Sequence, residues 1–572
     1  MKHLKHLLTV ALASVLALLI AVPAFAASDN LIKVEGLESG DAVKAYQVIK
    51  WDTTAGKWVL TDDFKGLIGG DLGATEDAVI EAIAGKIENG AHVPAEFTMA
   101  KANTIAAELA KTPAPAATYT EAADASGVWQ KANPAAGLYM VVVTATHPNI
   151  VYNPIFVGAD YVDNATNAID AEEATYLPVG QSTAVAKKTE IGVTKTASDA
   201  SQELKQAIDS KVGETVNFKI ETTLPVFLSS YKERVFKITD AVTPGIKLNP
   251  NSIVVTVTPA CEEDDYTVTP NGTDGFTIEF KDSFLATNTV VREVTVEYSG
   301  TITNTATFNL NYDNNTVKVD YSNGPDGETG ALKDITNHYT FSLGAQLLKT
   351  DDEKYKTYEL VKVGVDENGN WVVDTRKVSE IDGAPTVGPL PGAEFGLYTD
   401  ETCTTLYTND LYPTGAKFTT LADGVITFKG LAAGTYWLKE ISAPAGYVGD
   451  TQAHKVEIVA TYSPEKTVPA HKEGEIWVAE YKYVELTSFS VIIDGKDTAT
   501  STYTVTYNDD DPTIIETVDP EIKNTNIENT PGVELPSTGG IGTTIFYVVG
   551  GAMVLCGIVM FITKRRIAQI EE

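Results

Sequence analysis

The sequence contains few cysteines and few histidines. Of its 572 residues only Cys261, Cys403 and Cys556 are cysteines. Three cysteines cannot build the disulfide framework that stabilises many exported domains, and a Cys261–Cys403 bridge would join two different predicted domains. The seven histidines are scattered, and none forms a pair with the spacing of metal ligands. We therefore expect no metal and no cofactor, and stability that comes from core packing or from another kind of crosslink.

Positive charge is also scarce. The chain has 43 basic and 77 acidic residues, a formal net charge of −34. A negative field of this size repels polyanions, so we exclude nucleic acid as a partner. The sequence also shows no nucleophile elbow, no glycine-rich phosphate loop and no arrangement typical of a catalytic triad. We predict that the protein is not an enzyme.

The N-terminus has the three parts of a secretory signal peptide. A basic start is followed by an apolar run over 7–22 and by a small-x-small site that ends at Ala26. This pattern predicts cleavage between Ala26 and Ala27, with residues 1–26 absent from the mature protein. The alternative is an uncleaved membrane anchor, which the polar residues after the cleavage site disfavour.

The C-terminus has a pentapeptide, an apolar span and a basic stop. The pentapeptide is Leu535-Pro536-Ser537-Thr538-Gly539. About 18 apolar residues follow at 545–562, near the lower limit for crossing a bilayer. The basic residues 564–566 then fit a cytoplasmic end. Together, within 535–572, these parts resemble the cell-wall sorting signal of Gram-positive surface proteins. The resemblance implies that a sortase attacks Thr538 and that Gly539 belongs to the leaving peptide.

Between these ends the sequence is mainly β. Runs of alternating apolar and polar residues, rich in Val, Thr and Tyr, are separated by Asn, Asp, Gly and Pro, as in antiparallel sandwiches. The apolar spacing over 75–109 instead predicts one or two helices. The alternating pattern starts again at about residues 189 and 341. We therefore predict domains at 27–188, 189–340 and 341–530, with a short spacer before the sorting signal.

Two motifs in the third domain carry a family resemblance. They are PGAEFGLY at 391–398 and YWLKEISAPAGY at 436–447. The second resembles the pilin E-box, with Ile441 where threonine is usual. The chain therefore resembles, over essentially its whole length, the backbone (major) pilins of sortase-assembled Gram-positive pili. The resemblance implies tandem immunoglobulin-like β-sandwiches of the CnaA and CnaB types. Many of these form an autocatalytic Lys–Asn isopeptide bond beside an Asp or Glu.

The resemblance also assigns crosslinking residues. In the second domain it implies Lys195 as the amine, Asp240 as the catalytic acid and Asn323, in the segment YSNGP, as the electrophile. In the third domain it implies Lys349 as the amine and Glu440, at the E-box position, as the acid. The third-domain asparagine is Asn529, with Asn524 as the alternative. The first domain shows no convincing group of this kind.

Polymerisation in this family uses a lysine near the end of the first domain. The equivalent segment here is TAVAKKT at 183–189, which lacks the Tyr and Pro of the usual Val-Tyr-Pro-Lys pattern. Aligning the valines favours Lys188 as the nucleophile, with Lys187 as the alternative. Either lysine could instead be an ordinary solvated linker residue.

Two functional hypotheses follow. In the first the protein is a pilus shaft subunit that a pilus-specific, class C-type sortase joins head to tail through Thr538 and the pilin lysine. A housekeeping sortase would then attach the polymer to peptidoglycan. The partners would be identical subunits and minor pilins, and the location the cell surface after a transient membrane-bound precursor. In the second it is a monomeric wall-anchored adhesin, or a tip or base pilin.

Overall fold

The computed structural model describes most of the chain between residues 31 and 568. The described ranges are 31–88, 91–93, 95–147, 149–159, 162–163, 168–169, 182–199, 203–324, 327–344, 359–365, 389–474, 476–508, 515–523, 525–532 and 541–568. The signal peptide with Ala26 and Ala27, the amine candidate Lys349, the alternative Asn524 and the pentapeptide 535–539 lie outside the described residues.

The described residues form 41 strands and four α-helices. Up to residue 190 the strands are β1 (Leu31–Glu35), β2 (Ala42–Asp52), β3 (Lys57–Leu60), β4 (Lys86–Glu88), β5 (Ala91–Val93), β6 (Tyr119–Ala122), β7 (Trp129–Ala132), β8 (Gly137–Thr144), β9 (Ile150–Tyr152), β10 (Ile155–Ala159), β11 (Val162–Asp163), β12 (Ala168–Ile169), β13 (Thr183–Val185) and β14 (Lys188–Glu190). They continue with β15 (Val193–Ser198), β16 (Ala207–Asp209), β17 (Thr215–Leu224), β18 (Phe236–Val242), β19 (Ile246–Leu248), β20 (Val254–Thr258), β21 (Tyr266–Pro270), β22 (Gly275–Phe280), β23 (Arg292–Ile302), β24 (Asp313–Ser322) and β25 (Thr329–Tyr339). The remaining strands are β26 (Phe341–Leu343), β27 (Leu360–Gly364), β28 (Glu394–Tyr398), β29 (Lys417–Thr419), β30 (Phe428–Leu431), β31 (Gly434–Ser442), β32 (Tyr447–Val448), β33 (Ala453–Tyr462), β34 (Lys466–Val468), β35 (His471–Glu473), β36 (Ile476–Val478), β37 (Tyr481–Tyr483), β38 (Leu486–Ile493), β39 (Thr500–Tyr507), β40 (Ile515–Glu521) and β41 (Thr525–Pro531). The helices are α1 (Glu76–Ala84), α2 (Met99–Ala106), α3 (Asp282–Thr287) and α4 (Ile541–Ala568).

The chain divides into two compact units. Unit 1 comprises Met1–Thr340, Thr461–Ser488 and Val505–Val518, and unit 2 comprises Phe341–Ala460, Phe489–Thr504 and Asp519–Glu572. Unit 2 starts at Phe341, but residues 461–488 and 505–518 of the predicted third domain (341–530) belong to unit 1, so the bounds of that domain stay a prediction. The first two predicted domains both fall in unit 1, so their separation at 188 stays a prediction.

The predicted helices in the first domain are confirmed. Helix α1 begins after Thr75, whose side chain accepts a hydrogen bond from the backbone of Ala78. Helix α2 begins in the same way after Thr98, which accepts from Lys101. Threonine at these positions pairs a backbone N–H group that has no partner within the helix. Both helices bury an apolar face, including Ile80 in α1, against the core beneath strands β2, β3 and β8.

Two sheets form the sandwich of the second predicted domain. One has the order β15-β17-β23-β19, with β20 also paired to β23. The other contains the run β21-β22-β18-β24-β25. Side chains from the two sheets meet in the core, where the rings of Phe276 and Tyr298 lie 4.9 Å apart. Along β24 every second residue is buried, so each strand directs one face inward.

Unit 2 contains a second set of sheets. Strand β41 is parallel to its neighbour β27 and antiparallel to its other neighbour β32. Strand β31 lies between β28 and β33. The part of the chain that the structure describes is about 50% strand and 14% helix. The predicted mainly β, tandem-sandwich fold is confirmed.

Candidate crosslinking sites

The first site lies in the core of unit 1. Lys195 occupies an inward position of β15, and its side chain is 0% exposed. Asp240 follows Phe236 and Ile238 on the buried face of β18. Asn315 is buried on β24, which is the neighbour of β18, and Tyr298 is buried on β23. Alternation along four strands therefore places an amine, a carboxyl, an amide and a hydroxyl in one core.

These four side chains form one hydrogen-bonded group. Lys195 Nζ donates to Asp240 Oδ2 and to Tyr298 Oη. Tyr298 Oη donates to Asp240 Oδ2 at 2.6 Å, and Asn315 Nδ2 donates to Tyr298 Oη at 3.1 Å. Asp240 Oδ1 and Asn315 Oδ1 accept no hydrogen bond within the described part of the chain. The hydroxyl of Tyr298 thus connects the amine to the amide.

Burial shifts the pKa values in this group toward neutral forms. It lowers the pKa of Lys195 and raises that of Asp240, and the attraction between the two charges opposes both shifts. Burial also favours the neutral forms of two neighbouring side chains, Asp334 and His338. The pKa of Asp334, which accepts the backbone N–H of Lys195 at 2.5 Å, is raised to about 7, and burial lowers the pKa of His338 to about 3. A lysine is nucleophilic only as the free amine, so this environment favours attack.

The structure does not bring the predicted Asn323 to Lys195. Asn323 follows the last residue of β24, and its backbone N–H donates to Glu328 O at 3.0 Å. Asn315 lies eight residues earlier, within β24, which is roughly 26 Å at about 3.3 Å per residue. Sequence reasoning missed Asn315, although a signal was present. Asn315 shares the inward face of β24 with Val317, Val319 and Tyr321.

The second site lies in unit 2 and combines three side chains. Lys362 is on β27 and Asn529 is on the adjacent parallel strand β41, in the register that pairs Lys362 with Ile527 and Gly364 with Asn529. Glu440 is at an inward position of β31. The side chains of Lys362 and Glu440 are 0% and 1% exposed. Three strands therefore converge on one buried point.

The three groups contact one another directly. Lys362 Nζ lies 2.5 Å from Asn529 Oδ1 and 3.0 Å from Glu440 Oε2, and Asn529 Nδ2 donates to Glu440 Oε1 at 2.8 Å. The backbone N–H of Asp450 donates to Glu440 Oε2 at 2.7 Å and to Asn529 Oδ1 at 3.1 Å. The amide oxygen thus accepts hydrogen bonds from two donors, which polarises its carbonyl.

Burial lowers the pKa of Lys362, against the attraction of Glu440. The amine that meets Glu440 and Asn529 is therefore Lys362, which sequence reasoning missed. The predicted amine, Lys349, is outside the described residues. The signal for Lys362 was weak: it lies between Val361 and Val363 in a short apolar strand. Glu440 and Asn529, both predicted, are brought together.

Each group can perform an amide exchange without a metal. A neutral lysine can attack the side-chain carbonyl carbon of asparagine while the neighbouring carboxyl moves protons between the two nitrogens. Among the described residues no group of three or more His, Cys, Asp or Glu side chains could hold a metal ion.

Both candidate pilin lysines are exposed in unit 1. Strand β14 starts at Lys188 and pairs with β9, so that Lys188 lies opposite Tyr152. The backbone carbonyl of Lys187 accepts a hydrogen bond from Asn153 at 3.0 Å. Lys188 Nζ forms an ion pair with Glu38, and both side chains are 36% exposed. The backbone of this segment is therefore fixed while the two amines remain accessible.

Helix α4 is the C-terminal apolar segment. Within its stretch Ile545–Arg566 an 18-residue window has a mean hydropathy of 2.5 and is 0% buried, so the helix is long and apolar enough to cross a membrane. Arg565 and Arg566 lie in its last turn.

Comparisons with known proteins agree with this layout. Residues 375–472 match the SpaA family, a prealbumin-like fold domain, and residues 527–568 match the LPXTG cell wall anchor motif. The "Trypsin-resistant surface T6 protein" of Streptococcus pyogenes serotype M6 is 24% identical over 457 residues, covering 75% of this chain and 79% of the relative. The solved T6 backbone pilin of serotype M6 S. pyogenes, described as a modular three-domain structure, is 17% identical. That match covers 89% of this chain and 100% of the pilin, with a TM-score of 0.50, and it shows a shared fold.

The anchor and the prealbumin-like domain define a cell-wall-anchored surface protein that is a structural sortase substrate rather than an enzyme. A sortase and peptidoglycan are therefore its partners. The predicted resemblance to the backbone pilins of sortase-assembled pili is confirmed.

Proposed function

We propose that this chain is the shaft subunit of a covalently polymerised surface pilus whose domains are closed by internal Lys–Asn isopeptide bonds. The observation that carries the proposal is the pair of buried lysine–carboxyl–asparagine groups upstream of a cell-wall anchor. Buried lysines are rare unless paired. Both lysines contact an acid. Lys362 also contacts an amide directly, and Lys195 is connected to one through Tyr298, which fits a repeated chemical purpose better than chance packing.

The proposed bonds join Lys195 to Asn315 with Asp240 as the acid, and Lys362 to Asn529 with Glu440 as the acid. In each the neutral amine attacks the amide carbon, a C–N bond forms, and the original amide nitrogen leaves as ammonia. The carboxyl takes a proton from the attacking nitrogen and supplies one to the leaving nitrogen. The product is a neutral crosslink that thiols cannot reduce. We propose Lys362 in place of Lys349 because of its 2.5 Å contact with Asn529.

For polymerisation we propose that sortase cleaves after Thr538 and that Lys188 of another subunit attacks the acyl-enzyme. The ion pair with Glu38 supports Lys188 over Lys187, because a carboxylate next to the amine can accept its proton during the attack. Lys187 remains the alternative. Joining of this kind is heterologous and open-ended, so it produces a filament rather than a ring.

The remaining partners follow from the same scheme. A pilus-specific, class C-type sortase would build the polymer, and a housekeeping sortase would transfer it to peptidoglycan. Minor pilins would occupy the tip and base, and the pilus would support adhesion and colonisation. The alternative is a monomeric wall-anchored adhesin, or a tip or base pilin, in which neither Lys187 nor Lys188 reacts.

The test is an immunoblot of cell-wall extract after boiling in SDS, comparing wild type with Lys188→Ala, Lys187→Ala and the double variant. A wild-type ladder that collapses in Lys188→Ala and persists in Lys187→Ala supports the proposal. Collapse only in Lys187→Ala moves the nucleophile by one residue. Monomer alone in wild-type cells that express their pilus sortase would overturn the shaft function in favour of the adhesin.

A further inference from the structure

Tyr298 lies at the centre of the Lys195 site. Its hydroxyl accepts from Lys195 Nζ and Asn315 Nδ2 and donates to Asp240 Oδ2. A hydroxyl can donate one hydrogen bond and accept two, so all three positions are used within the site. The ring is held in place by Phe218, stacked at 5.1 Å, and by Phe276, edge-on at 4.9 Å. The position of this hydroxyl is therefore fixed by packing.

The two sites differ in how the acid reaches the leaving nitrogen. In unit 2 Glu440 Oε1 accepts directly from Asn529 Nδ2 at 2.8 Å. In unit 1 the acid is aspartate, one methylene shorter, and Asn315 Nδ2 instead donates to Tyr298 Oη at 3.1 Å. Tyr298 Oη in turn donates to Asp240 at 2.6 Å. The hydrogen bonds that connect Asp240 to the Asn315 amide thus pass through Tyr298, whereas Glu440 contacts its amide directly. Burial raises the pKa of Asp240, and the Asn315 side chain also lies close enough to that carboxyl to oppose this shift.

We propose that Tyr298 is a catalytic residue of the Lys195–Asn315 crosslink and relays the proton from Asp240 to the nitrogen that leaves Asn315. The proposal rests on the crosslinking function proposed above and extends it to a fourth residue. Tyr298, Lys195, Asp240 and Asn315 are all buried, so the hydroxyl takes the place that water would have in an open site.

The proposed reaction joins Lys195 to Asn315 and releases ammonia. Lys195 passes a proton to Asp240, and its free amine attacks the side-chain carbon of Asn315. Asp240 donates to Tyr298 Oη while the Tyr298 proton moves to the former amide nitrogen, which leaves as ammonia when its bond to the carbon breaks. The Asp240 carboxylate then takes the second proton of the attacking nitrogen, which becomes the N–H of the new amide. Tyr298 ends in its starting state, and no oxidant, metal or cofactor is needed.

The experiment follows crosslink formation in the full-length chain during cell-free synthesis without sortases. Samples taken over time are digested, and the linked Lys195–Asn315 peptide is quantified by mass spectrometry. The test variant is Tyr298→Phe, which keeps the ring and removes the hydroxyl. The matched control is Tyr321→Phe, because the buried Tyr321 hydroxyl on β24 has no hydrogen-bond partner among the residues described. The Lys362–Asn529 bond of the same molecules is an internal control.

We expect Tyr298→Phe to slow formation of the unit 1 bond by about a hundredfold or more, the usual contribution of a positioned proton donor. Tyr321→Phe and the unit 2 bond should be unaffected. The double variant Asp240→Glu/Tyr298→Phe should recover at least about tenfold, because the longer carboxyl fills the vacated space and reaches the leaving nitrogen. A structural role for the hydroxyl predicts no such rescue.

Three outcomes would count against the relay. Wild-type kinetics in Tyr298→Phe would overturn it while leaving the crosslink intact. Slow formation without rescue in the double variant would also overturn it, since the hydroxyl would then act through folding. Absence of the bond in wild type would instead overturn the proposed crosslink itself, and the relay with it.

Discussion

Glu440→Gln is the single substitution that most directly tests the proposed acid of the unit 2 site. Glutamine has the shape of the glutamate, and its one side-chain oxygen can keep the hydrogen bond from the backbone N–H of Asp450, while its amide nitrogen cannot accept from Asn529 Nδ2. It cannot take up and return a proton, so we expect the Lys362–Asn529 bond not to form. The purified variant should be heavier than wild type by the mass of one ammonia, apart from the side-chain change itself.

The loss of stability can be worked out from the sequence separation of 167 residues between Lys362 and Asn529. In the chain-entropy model, closing a loop of this length removes about 17 cal/mol/K from the unfolded state, or about 5 kcal/mol at room temperature. For a unit of this size each kcal/mol shifts the melting temperature by about 2–4 °C. We therefore expect the unit 2 transition to fall by on the order of 10–20 °C.

Differential scanning calorimetry and intact mass measure the two effects on one sample. Glu457→Gln is the matched control, because Glu457 lies on neighbouring β33 opposite Thr435 and outside the site. Glu440→Ala should cost about 1–3 kcal/mol more than Glu440→Gln, because in the alanine variant Asp450 N–H also loses its acceptor. If Glu440→Gln loses ammonia as wild type does and melts at the same temperature, glutamate is not the acid and the reasoning is refuted.

Three further predictions test the other groups. Asn315→Ala should abolish the unit 1 crosslink in the digest and Asn323→Ala should not; the reverse result would restore the assignment made from sequence. Burial raises the pKa of Glu359 to about 7, so the folded state holds a proton that the unfolded state releases near its ordinary pKa of 4.5. This can be measured by urea unfolding of the uncrosslinked Glu440→Gln chain. The free energy of unfolding of unit 2 should be highest below about pH 4.5 and should fall by about 3 kcal/mol as pH rises through 7. Adding Glu359→Gln should flatten this pH dependence. Glu38→Gln should slow SDS-resistant ladder formation without changing either internal crosslink, and an unchanged ladder would remove Glu38 from the proposed proton path.

Sequence reasoning predicted the parts of the fold that local patterns specify. The helices over 75–109 followed from apolar spacing, and threonine caps at Thr75 and Thr98 explain where they begin. The sorting signal and the E-box were readable because each is a contiguous motif, and Glu440 was located through its motif position. These features need no knowledge of which strands become neighbours.

The remaining site residues depend on strand pairing, which a single sequence does not specify. Asn323 belongs to a recognisable segment and Lys349 lies near the start of the predicted domain, so the sequence alone favours both. The structure places Asn315 near Asp240 because β24 pairs with β18 and directs the Asn315 side chain to the face that holds Asp240. It places Lys362 beside Asn529 because β27 and β41 are parallel neighbours, although they are far apart in sequence. Buried and exposed residues alternate along β24. This alternation favours Asn315, which lies on the buried face, over Asn323, which lies beyond the end of the strand.

The energetics of the uncrosslinked state explain why these groups would react rather than persist. A buried lysine next to a buried carboxyl costs desolvation energy that their mutual attraction only partly returns. Burial has moved the pKa of Lys195 and that of Asp240 toward each other, so the neutral pair needed for attack becomes accessible. Forming the amide removes the ionisable amine from the core and releases ammonia. The folded core therefore both prepares the reaction and becomes more stable by completing it, which is why the reaction would need the fold and not an enzyme.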